Sequence, residues 1–243
     1  MKKQGRNRGA SPRRPWPERE LKEWAFFYQK VFGAALPVEK INPHTFPRGI
    51  GPSGKDLKPP FIPAVHPHTK IWCGGKRPQS ILEGVGIKIP KAPSGFDRII
   101  VVAKGLAPDR VYAVCAAHFP CVRHFINLDR DVSKNERVPD RTYAVLARGG
   151  SEPDVELSDL SADELRKKKI KNITLLEYML CQLKYFTETG KLMDVKDITM
   201  CAGSRYKDGR VPTAISHKGE LKIHWCSPHE KNQRMRSREV LAR

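Results

Sequence analysis

Residues 174–190 read TLLEYMLCQLKYFTETG, and this run decides the fold. Thr174 and Glu177 have the spacing of a capping box, in which a hydroxyl and a carboxylate satisfy the orphan amides at a helix start. Gly190 supplies the stop, because glycine readily takes the left-handed conformation that ends a helix. Between them Leu176, Met179, Leu180, Leu183 and Phe186 recur at helical spacing, so the helix carries one apolar face that has to pack on a core.

Downstream of this helix the periodicity changes. Val195 to Cys201, Arg210 to Ser216 and Glu220 to Cys226 read as three strands, with Asp208-Gly209 and Lys218-Gly219 as turn chemistry between them. Pro212 lacks a ladder donor and predicts a bulge or an edge position for the middle run. Upstream, Arg98 to Ala103 (RIIVVA) is a buried strand by its β-branched run, and Pro108 opens a helix through about His118, ended before Pro120. Arg141 to Ala147 (RTYAVLA) is a second strand, and Ser161-Ala162-Asp163-Glu164 is a second capping box. The order is β-α-β-α-α-β-β-β. It predicts an α+β domain over 96–230, with a mixed sheet ending in an antiparallel meander and a basic tail over 231–243.

The first 95 residues differ in kind. Residues 1–17 hold four Arg and two Lys among Gly, Pro, Asn and Ser, which reads as a disordered basic arm. Residues 18–33 read as an amphipathic helix whose stripe is Leu21, Trp24, Phe27, Tyr28 and Val31. That stripe suits docking on the chain's own core, with capture of a protein partner as the alternative. Residues 34–95 form a Pro/Gly-rich extended segment, since each proline removes a donor and biases its predecessor away from helix.

Charge bounds the partner. Lys and Arg total 45 against 26 Asp and Glu, a formal net charge of +19. Residues 1–95 carry 18 basic and 6 acidic side chains and residues 96–243 carry 27 and 20, so the extension holds most of the excess. Unneutralised self-repulsion of this size predicts a polyanionic partner. No run approaches the roughly 18 apolar residues of a membrane span. No secretory signal is visible, and the six scattered cysteines read as reduced thiols in a cytoplasmic protein.

Several motifs invite catalytic or metal readings. Residues 49–56 (GIGPSGKD) resemble a phosphate loop, but Asp56 replaces the hydroxyl residue and Lys58-Pro59-Pro60 forbids the helix that must follow. Cys115, His118, Cys121 and His124 have the inventory of a zinc site at a spacing unlike the familiar fingers. Cys201, His217, His224, Cys226 and His229 form a second cluster. There a Cys–His pair meets the minimum for thiol catalysis, without an identifiable orienting group.

No helix-turn-helix, homeodomain or zinc-finger pattern is present, so reading of bases in a major groove is unsupported. The expectation is a non-enzymatic nucleic-acid-binding protein, RNA favoured over DNA, working without a cofactor, with a place in a ribonucleoprotein as one setting for it. Its phosphate contacts are Arg13, Arg14, Lys167, Lys168, Lys169, Arg205, Lys207 and Arg210, with Trp16 and Tyr206 as stacking side chains. In the loop 201–210, Gly203 and Ser204 are expected to expose backbone amides to phosphate. The alternatives are a nuclease or thiol-dependent hydrolase using the C-terminal Cys/His cluster with Asp208 or Glu220, and a structural protein that wraps a partner.

Overall fold

The computed structural model describes residues 16–32, 87 and 93–242. Arg13, Arg14, the phosphate-loop look-alike at 49–56 and nearly all of the Pro-rich segment lie outside the described residues, as does the Trp16 side chain.

The expected helix is α5, Leu175–Thr189, with the reciprocal bonds of the capping box at Thr174 and Glu177 and with Gly190 left-handed at its end. It is more enclosed than one apolar face implies. Every residue from Leu175 to Lys184 is buried, because the helix lies within a core built from two sheets. One sheet has three antiparallel strands in the order β1 (Arg98–Val102), β4 (Tyr143–Ala147), β10 (Val240–Leu241). The other is mixed, in the order β2 (Cys121–Arg123), β8 (Glu220–Cys226), β7 (Val211–His217), β5 (Ile198–Met200), β9 (Met235–Arg236). Strands β5, β7 and β8 are the expected antiparallel meander, and β2 and β9 flank it in parallel. Helix α2 (Pro108–His118) packs on α5. A short ladder joins β3 (Lys134–Asn135) to β6 (Ser204–Arg205), and α3 (Leu128–Asp131) precedes it.

Helix α1, Trp16–Phe32, covers the free edge of β1. The Trp24 indole donates to the Ile99 carbonyl at 2.8 Å and the Tyr28 hydroxyl to the Val101 carbonyl at 2.7 Å. Four residues of helix rise about 6 Å, close to the roughly 6.6 Å between alternate strand residues, so an i,i+4 pair of donors matches two successive edge carbonyls. An edge strand otherwise exposes such groups to pairing with another chain. The aromatic stripe is therefore used internally: Trp24, Phe27 and Tyr28 are buried, and among the described side chains of α1 Phe26 is the large apolar one left exposed.

Two expectations change. Pro212 lies in an interior strand with unbroken register, not at an edge or bulge. The β7–β8 hairpin closes through Lys218 (φ 53°) and Gly219 (φ 77°), and in the alternation that follows Pro212 owes no donor to β8. On its other side the Cys201 carbonyl, which such a donor would serve, accepts from the Ser204 amide at 2.9 Å instead. Residues 231–242, expected as a basic tail, carry β9 and β10, one in each sheet. Between them Arg238 is 1% exposed, ion-paired to the buried Asp194, and donates to the Gly150 carbonyl at 2.9 Å. A cationic residue there fastens the two sheets together.

Candidate nucleic-acid interface

The run Arg166-Lys167-Lys168-Lys169-Ile170-Lys171 is folded as a tight turn between α4 (Ala162–Lys167) and α5. Ser161 and Glu164 cap the start of α4, and the Ile170 amide returns to the Leu165 carbonyl at 3.1 Å. Buried Asn172 donates its side-chain amide to the Ile170 carbonyl at 2.7 Å. This bracing leaves Arg166, Lys167, Lys168 and Lys169 all exposed on one outward turn.

The segment 136–141 faces that turn. Its Arg137 is anchored on Glu177, with Nε 2.6 Å from Oε1 and Nη2 2.9 Å from Oε2, and the Tyr143 hydroxyl donates to Oε1 at 3.0 Å. Glu177 is wholly buried and also accepts the Thr174 amide at 2.8 Å. The carboxylate that starts the central helix thus positions the facing loop. Between loop and turn lies a cleft of about 550 Å³ lined by Arg137, Arg141, Arg166, Lys169 and Lys171, with Glu136 and Asp140 as its acidic members.

Most arginines of the fold are neutralised: Arg98, Arg123, Arg148, Arg210 and Arg238 each meet a carboxylate. Among the described residues Arg141, Arg166, Lys167, Lys168 and Lys169 make no ion pair. Like-charged groups left uncompensated at close quarters repel one another, and a bound anion relieves that.

Arg205 continues the band. It sits on β6 opposite Lys134 of β3, and its guanidinium donates to the Ala202 and Ser204 carbonyls at 2.7 and 2.8 Å. Burial pushes its pKa down, the charge of Asp163 works against that shift, and the charge of Arg166 works with it. Lys207, two residues on, is exposed.

The rest of the loop 201–210 differs from expectation. Tyr206 is 1% exposed, with its hydroxyl turned toward the His224 carbonyl at 3.4 Å, so it offers no face to a base. The Gly203 and Ser204 amides are spent on the Ile173 and Cys201 carbonyls. A Cβ at Gly203 would lie 2.4 Å from the Asn172 carbonyl oxygen, which is why glycine stands there. Arg210 is held by Asp208, with Nε 2.7 Å from Oδ2, and lies over the Trp225 ring. Trp225, Phe125 and Arg141 were not singled out by sequence. An exposed Trp beside His224 on a strand was the available signal for the first of these.

The Cys/His clusters do not assemble. Cys115 is buried against the Met179 carbonyl, whereas His118 is exposed and bonded to Val114 of its own helix. Burial pushes the Cys226 thiol up to about 12. His217 lies at the opposite end of the β7–β8 ladder from Cys226, and His229 pairs with Asp163. Among the described residues no three His, Cys, Asp or Glu side chains converge to hold a metal ion, and no described helix is long and apolar enough to cross a membrane. No family model, curated protein or solved structure matches the chain.

Proposed function

We propose that this protein binds nucleic acid, RNA in preference to DNA, by neutralising backbone phosphates along the band from the 136–141/166–171 cleft to Arg205 and Lys207. The observation that carries this reading is the convergence of unpaired cationic side chains from two separate segments on one cleft, in a fold whose other arginines are mostly ion-paired. Phosphate is the anion that such a row of separated charges suits, because a polynucleotide presents one at each step. The basic groups project from the end of a six-residue helix, the turn after it and a two-residue strand, not from the face of a long exposed helix, so nothing in the band is shaped to enter a major groove. The broad surfaces and looped strands of RNA suit it better. The N-terminal extension, which holds most of the charge excess, adds sequence-independent affinity.

The test compares two triple reversals of equal net charge. Arg141→Glu/Arg166→Glu/Lys169→Glu alters the cleft, and Lys104→Glu/Lys191→Glu/Lys218→Glu alters exposed lysines elsewhere. The cleft variant should bind RNA at least tenfold more weakly than the control variant. Equal weakening would mean that net charge alone attracts RNA, and the cleft would lose its role.

A further inference from the structure

At the far end of the loop 205–210 the surface changes from cationic to aromatic. His224 and Trp225 are exposed near the end of β8, and His124, just past β2, comes beside both. The His124 ring centroid is 6.2 Å from that of His224 and 6.0 Å from that of Trp225. Phe125 stands edge-on to His124 at 4.9 Å and is backed by buried Tyr206 at 4.2 Å, so the outer rings rest on a rigid inner one. The Arg210 guanidinium is laid over Trp225, 3.9 Å from the ring centroid, and Asp208 keeps it there.

The chemistry of this patch selects its occupant. Its members are flat imidazole, indole and guanidinium groups, which stack on a nucleobase and stay sequence-tolerant because every base has a π-face. An aliphatic protein surface would find cationic and polar rims where it needs apolar ones. The patch is also continuous with the phosphate band. Arg205 lies close enough to Arg166 for charge to act between them, and the turn that follows it closes with the Tyr206 amide on the Arg210 carbonyl at 2.8 Å, which sets the Arg210 guanidinium on the Trp225 ring. A strand whose phosphates follow Arg166, Arg205 and Lys207 is carried onto the rings. A duplex keeps its base faces stacked inside and has none to offer.

We propose that Trp225, with His124 and His224, is a stacking platform for unpaired bases, and that the nucleic-acid partner is single-stranded where it meets this surface. The inference rests on the phosphate-band reading above.

Fluorescence anisotropy with a labelled single-stranded RNA of about 12 nucleotides, within the usual footprint of such surfaces, and with a duplex of the same length tests it. The wild-type chain should prefer the single strand. Trp225→Ala should weaken single-strand binding about tenfold, the loss of one stacked base, and leave duplex binding unchanged. His224→Ala, at an exposed position that the fold does not need, should shift the single strand in the same direction and serves if Trp225→Ala misfolds. Preference of the wild type for duplex, or wild-type single-strand binding by both variants, overturns the platform. So does loss of a protein partner in Trp225→Ala with oligonucleotide binding intact. The cleft reversal Arg141→Glu/Arg166→Glu/Lys169→Glu separates the two ideas: it should weaken both ligands alike, and wild-type binding of both would sink the phosphate band instead.

Discussion

Glu177 concentrates three duties in one buried carboxylate: it closes the capping box of α5, clamps Arg137 and receives Tyr143. Removing one partner of a buried pair leaves the other charge uncompensated, which costs roughly 3–5 kcal/mol. Glu177→Ala should therefore lower stability in urea unfolding by about that amount, whereas replacing both members (Glu177→Leu/Arg137→Met) should cost less. If the single change proved the milder one, Arg137 would not depend on Glu177. Gly203 makes the second residue-scale case. Alanine there must push into the Asn172 backbone, and overpacking of this kind costs about 1–3 kcal/mol. Because the Gly203 carbonyl also accepts the Glu136 amide, Gly203→Ala should loosen the cleft and weaken RNA binding beyond its effect on melting. At this scale sequence was a poor guide. It assigned Gly203, Ser204 and Tyr206 to the ligand by their types, but the Gly203 amide is claimed by the distant Ile173 carbonyl, the Ser204 amide closes a turn on Cys201, and Tyr206 is buried.

Elements were far more legible. Both capping boxes, the left-handed Gly190, Pro108 at the start of α2 and the Lys218-Gly219 turn appear where the residues placed them, because each acts over a few neighbouring positions. The pairings were not legible. Strands β2, β3, β6, β9 and β10 have two or three residues each, too few for periodicity, and exist only because a neighbour supplies the ladder. The second capping box carries a pH signature. Ser161 backbone and side-chain bonds, with Lys231, hold the Glu164 carboxyl down to about 2, below its usual 4.5. A depressed folded-state value stabilises the fold above about pH 4.5, and that stabilisation is lost as pH falls toward 2. Melting temperature followed from pH 6 downward should thus drop more steeply for the wild type than for Glu164→Gln, the two converging near the bottom of that window. Parallel profiles would show that the carboxylate is not what holds the start of α4.

For the whole molecule, the excess of positive charge stood out at once, but sequence could not say which of the charged residues were free. The C-terminal basic run illustrates this: Arg236 and Arg238 are consumed by Asp197 and Asp194, and the segment that carries them puts one strand in each sheet. The run 166–171, chemically similar, stays unpaired because its turn projects outward and meets a loop that is itself rich in arginine. Distinguishing the two requires knowing which carboxylates fold nearby, and that is a tertiary fact. The same applies to the platform, where rings from residues 124 and 224–225 meet only because β2 and β8 are parallel neighbours. If free cationic groups of the 166–205 band neutralise phosphates, binding must weaken as salt rises. Each phosphate neutralised on a single strand contributes about −0.7 to the slope of log K against log salt. The direct measurement is that slope, for RNA binding between about 50 and 200 mM salt, in the wild type and in Lys167→Glu/Lys168→Glu/Lys169→Glu. The wild type should show a steep negative slope, and the variant one shallower by roughly 2. A flat wild-type profile, or identical slopes, would contradict phosphate neutralisation by the band.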